Sequence, residues 1–170
     1  MSSDFQVLPL APFGAELVGD LSRPLSSGDK ALLLELSETH GLLVARNQTI
    51  SLDRQRELME LFGPVPRREL NYVDLGDGVL NADPLTFHSD MAFCHTPYRY
   101  GSLHALELEG GRTSTVFANG ALAYRRLGAE QRKLLARLTT LAISTSRSGR
   151  AYLEATARAV ADACKQTAQR

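Results

Sequence analysis

The residues in this chain with the clearest chemical potential are His88 and Asp90, in the stretch Phe87-His88-Ser89-Asp90-Met91-Ala92-Phe93. A β-strand sends alternate side chains to opposite faces, so residues two apart share a face. On a strand, His88 and Asp90 would aim an imidazole and a carboxylate at one point. Those groups are two members of a facial 2-His-1-carboxylate triad, which leaves positions open on iron(II) for a cosubstrate and oxygen. A lone His-x-Asp is weak evidence, because such a pair is also ordinary surface polarity or a hydrogen-bonded couple. A plain zinc hydrolase is disfavoured, since no further His or Glu cluster supports it.

Elements are needed to hold this pair. Residues 5–10 alternate loosely and predict a short strand, and Pro12, Gly14 and Gly19 punctuate a loop. Pro24-Leu25-Ser26-Ser27 forms a helix entry, with a serine cap before Asp29. Leu32, Leu33, Leu36 and His40 fall at helical spacing, which predicts an amphipathic helix over 28–40 stopped by Gly41. Gly41-Leu42-Leu43-Val44-Ala45 is apolar and predicts a buried strand. Ser51 caps a second helix, 51–62, with Leu52, Leu58, Leu61 and Phe62 on one face and Gly63-Pro64 ending it. Strands are expected at 79–80, 99–108 and 113–118, the last two separated by a Gly110-Gly111 turn. Two short helices broken near Gly128 are expected over 119–138, and 141–143 is a further candidate strand. From Ser144 the chain is rich in Ala, Arg, Thr and Ser, and its larger apolar residues are nearly confined to Tyr152, Leu153 and Val160. Propensity makes 144–170 a helical tail with little to dock it.

The expected fold class is α+β. Composition fits one domain, 1–170: of 170 residues, 44% are hydrophobic and 22% charged, enough to bury a core. Nineteen Lys and Arg balance nineteen Asp and Glu, so charge offers no argument for nucleic acid or an anionic membrane as partner. No apolar run approaches membrane-spanning length, and the N-terminus MSSDFQVLPL is not a secretory signal. Cys94 and Cys164 are far apart and form no CxxC pair, so both are expected as free thiols in a cytoplasmic, reducing setting.

Motifs flank the metal pair in a fixed order. Downstream come Thr96-Pro97, then Glu107-Leu108-Glu109-Gly110-Gly111-Arg112-Thr113, Val116-Phe117-Ala118-Asn119, Ala123-Tyr124 and Leu127. Upstream lie Gly14-Ala15-Glu16, Asp20-Leu21-Ser22 with Pro24-Leu25, Gly41-Leu42-Leu43-Val44 with Gln48, and Phe62-Gly63. In order and spacing this series resembles the taurine dioxygenase/TfdA family over roughly residues 7–143. The resemblance implies an incomplete double-stranded β-helix (a jelly roll) with flanking helices. It also implies a non-haem Fe(II)- and 2-oxoglutarate-dependent dioxygenase that takes O2 and hydroxylates a small organic substrate. In that likeness His88 and Asp90 match the metal-binding histidine and carboxylate, and Thr113 matches the threonine that contacts 2-oxoglutarate. Arg112 stands where the family has an acidic residue, and Phe87 where tryptophan is common. Asn81 is a candidate to face substrate, with a turn or strand-end asparagine as the competing reading.

The same family has a third metal ligand, a histidine well downstream, followed by an arginine that pairs with the far carboxylate of 2-oxoglutarate. The four histidines here are His40, His88, His95 and His104, and none follows His104. His104 reads as a hydrogen-bonded strand residue or a surface histidine, His95 as a solvated or outer residue, and His40 as a partner for a helix C-terminus. The expectation is therefore a chain truncated relative to the family, with weakened turnover on its own. An open strand edge would invite self-association, which keeps a homo-oligomer in view. The alternative function is a catalytically incompetent relative that binds a partner or a small molecule.

Overall fold

The computed structural model describes residues 3–66, 87–92, 96–107 and 114–140. The chain divides into two compact units, Met1–Leu85 with Tyr100–Asn119, and Thr86–Arg99 with Gly120–Arg170.

The first unit is built on a three-stranded sheet in the order β1-β2-β3, with β1 at Gln6–Pro9, β2 at Ala15–Val18 and β3 at Leu43–Ala45. β1 and β2 pair antiparallel, Gln6 opposite Val18 and Pro9 opposite Ala15. β2 and β3 pair parallel, Ala15 opposite Leu43 and Leu17 opposite Ala45. A parallel pair needs a crossover, and helix α1, Ser27–His40, supplies it. β2 lies where the sequence predicts a loop. Its inward residues are only Ala15 and Leu17, both buried, so its four residues carry too little alternation to be read as a strand.

Leu17 packs with Leu33 and Leu36 of α1 to form the core, and Val7, Leu43, Leu61 and Phe62 close around it. Leu33 and Leu36 are the face that helical spacing picks out. α1 begins as expected. The Ser26 hydroxyl accepts from the Asp29 backbone N–H at 3.1 Å, and the Asp29 carboxylate accepts from the Ser26 N–H at 2.9 Å. This is a capping box with aspartate in the role more often taken by glutamate. At the other end Gly41 adopts φ +69°, the left-handed cap that suits glycine, and its N–H donates to the Ser37 carbonyl.

Asp29 is fully buried. Besides the Ser26 N–H, its carboxylate accepts from the Ser3 hydroxyl at 2.7 Å, the Asp4 N–H at 3.1 Å and the Arg23 guanidinium at 3.2 Å. The Ser3 hydroxyl is the foremost reason that the carboxyl titrates well below its ordinary range. Burial opposes that shift, and the Ser26 and Asp4 backbone N–H groups reinforce it. Arg23 also lies over the Phe5 ring, 5.0 Å from its centroid. One buried anion thus ties the N-terminal segment, the loop before α1 and the start of that helix together.

Helix α2 spans Leu52–Glu60, with the Ser51 hydroxyl accepting from the Arg54 N–H at 3.1 Å. Leu61 and Phe62 lie just beyond its end in a turn, and Leu52, expected on the apolar face, is exposed. Arg54 donates to the Leu21 carbonyl at 2.8 Å and to the Arg23 carbonyl. The Gln48 amide accepts from the Leu21 N–H at 2.8 Å and donates to the Gly19 and Arg46 carbonyls at 2.9 and 2.8 Å. Two side chains on the far side of α1 in sequence thereby hold loop 19–23, which has no backbone ladder of its own.

Residues 100–107 and 114–119 differ from expectation, because neither segment forms a strand. The 100–107 segment is anchored by side chains instead. Tyr100 stacks on Phe62 with centroids 5.0 Å apart and donates to Glu38, and Gln55 Nε2 donates to the Ser102 hydroxyl at 2.9 Å. Leu103, Leu106, Val116 and Phe117 are exposed. The apolar pattern at these positions was legible, but pattern alone supplies no hydrogen-bonded neighbour. The fold is α+β with a small mixed sheet.

The second unit contains α3, Gly120–Arg126, and α4, Ala129–Leu135, broken at Gly128 as expected. The Gly128 N–H donates to the Gln131 side chain at 3.1 Å, and glycine has no side chain to return the bond. The expected strands at 79–80 and 141–143, the Gly110-Gly111 turn and the 144–170 tail lie outside the described residues. No helix among the described residues is long and apolar enough to cross a membrane.

Candidate metal centre

His88 and Asp90 meet. His88 Nε2 lies 3.2 Å from Asp90 Oδ1, and both side chains are more than half exposed. The means differs from the expectation. Residues 87–92 form no strand; a turn runs from Asp90 through Ala92, with the Ala92 N–H donating to the Ser89 carbonyl at 3.3 Å. The pair therefore lies off any strand, with His88 just before the turn and Asp90 at its start. Met91, immediately after the carboxylate, has φ +54°. A non-glycine residue in the left-handed region costs about 1–2 kcal/mol. Strain of this kind gathers where the surroundings fix a side chain for use. No feature of the sequence singles out Met91.

A nitrogen and an oxygen 3.2 Å apart suit two arrangements. A protonated imidazole can donate to the carboxylate, or both lone pairs can face one cation. Two donors about 2.1 Å from a metal on adjacent octahedral corners are separated by about 3 Å, so the spacing fits a shared ion. Imidazole and carboxylate also suit iron(II) chemically. Among the described residues no group of three or more His, Cys, Asp or Glu side chains surrounds a common point.

The other residues singled out by sequence fall into two groups. Asn81, His95 and Thr113 lie outside the described residues, as do Arg112 and both cysteines. His104 and His40 are described, each in the first unit. His104 is partly buried, with Nε2 3.4 Å from the Gln48 carbonyl, which fits its reading as a hydrogen-bonded residue although no strand carries it. His40 occupies the last turn of α1, where a cation complements the helix C-terminus.

The family model for taurine catabolism dioxygenase TauD, TfdA family, matches residues 6–169. The chain belongs to the TauD/TfdA family. The matched span includes His88 and Asp90 and runs beyond residue 143, where the resemblance carried by the motifs ends. TauD/TfdA proteins are in general iron- and 2-oxoglutarate-dependent dioxygenases. No solved structure matches this chain.

Proposed function

We propose that this TauD/TfdA-family chain is a non-haem Fe(II)- and 2-oxoglutarate-dependent dioxygenase that hydroxylates a small organic substrate. The observation that carries the proposal is the 3.2 Å approach of His88 Nε2 to Asp90 Oδ1, within a span that matches the family. His88, through an unprotonated Nε2, and Asp90, through Oδ1, are the groups that would hold the ion. When bound, iron(II) supplies the oxidative decarboxylation of 2-oxoglutarate that is coupled to substrate hydroxylation. The double-stranded β-helix of the family is the framework in this reading, and the cytoplasm its setting.

The chain's own part is donation and orientation. Asp90 brings a negative charge that favours the divalent ion, and His88 a neutral, directional lone pair. His88 and Asp90 stand two residues apart, at the start of the turn that follows. Thr113 is proposed to hydrogen-bond the cosubstrate, and Asn81 to face the substrate.

The test is an anaerobic titration with iron(II) and 2-oxoglutarate, watched for the weak visible charge-transfer band of their complex. The band is expected with the unaltered chain and should vanish in His88→Ala and in Asp90→Ala. A band of full amplitude in either variant would overturn the assignment. Thr113→Ala should weaken the 2-oxoglutarate dependence while leaving iron(II) binding in place.

A further inference from the structure

We draw no further inference here: the strongest candidate, the shallow groove beside the C-terminal ends of β2 and β3 lined by Glu16, Val18, Arg46 and Gln48, carries nothing because Glu16 and Arg46 pair with each other and the Gln48 amide is taken up by backbone groups, which leaves no feature that selects a ligand.

Discussion

The imidazole of His88 lies 3.2 Å from the carboxylate of Asp90, the residue that opens a turn through a left-handed Met91. If the two side chains share an ion, removing either one removes a ligand. Losing a group that merely supports a ligand commonly costs about 10–100-fold in metal affinity. His88→Ala and Asp90→Ala should therefore each weaken iron(II) binding by at least about tenfold in an anaerobic competition assay. Unchanged affinity in both would mean that the couple is only a surface ion pair.

The Ser26 cap can be tested apart from the metal. Its hydroxyl satisfies the Asp29 N–H at the start of α1. Ser26→Ala should lower the urea-unfolding free energy by about 0.5–2 kcal/mol, and Ser26→Gly by only a few tenths. Equal losses for the two would point to a role other than capping.

Acid should expose the Asp29 hub. Its carboxyl is depressed from an ordinary value of 3.8 by the Ser3 hydroxyl first, and by backbone N–H groups against the opposing effect of burial. The unfolded chain therefore binds the Asp29 proton at a higher pH than the folded one does. The resulting stability is fully present above the unfolded value and is lost as pH falls from there through the folded value. Asp29→Asn should be less stable at neutral pH and should show a flatter acid limb, the two curves approaching each other as pH drops through that window. A parallel pair of curves, followed by urea midpoint against pH, would show that Asp29 does not set the acid limb.

Adjacent leucines of α1 should behave oppositely. Leu33 is 5% exposed in the core and Leu34 is 40% exposed. Leu33→Ala should cost about 2–5 kcal/mol by lost burial and cavity formation. Leu34→Ala should stay within about 0.5 kcal/mol. Comparable losses would place the helix in a different rotation.

Gly41 gives a backbone test. At φ +69°, a Cβ is disfavoured by about 1–2 kcal/mol. Gly41→Ala should lower the melting temperature, and Gly41→Asn should lower it less, because asparagine tolerates the left-handed region. No difference between the two would indicate that the cap relaxes out of that conformation.

The features legible in the chain were those that neighbours in sequence generate. Ser26 with Asp29, Ser51 with Arg54 and Gly41 after His40 are caps formed within one helical turn, and Leu33 and Leu36 follow from helical period. The break between α3 and α4 at Gly128 has the same local origin. The helix ends were less accurate: Leu61 and Phe62 continue the apolar period of α2 but sit in the turn beyond it.

By itself the sequence determined the family, through an ordered set of motifs around His88 and Asp90, and determined the caps and core face of α1. Tertiary structure alone decided that Ala15–Val18 is a strand, because its ladder comes from Gln6–Pro9 on one side and, across the α1 crossover, from Leu43–Ala45 on the other. It also decided that Asp29 is a buried anion, since its partners Ser3, Asp4 and Arg23 are brought to it by that same sheet and loop. Residues 100–107 and 114–119 keep their apolar pattern without forming strands, and His88 meets Asp90 off any strand. The physical reason is common to the strand and the buried anion. Local rules act through the bonds of one chain segment, whereas a ladder or a buried charge exists only when distant parts of the chain supply the other half of each hydrogen bond.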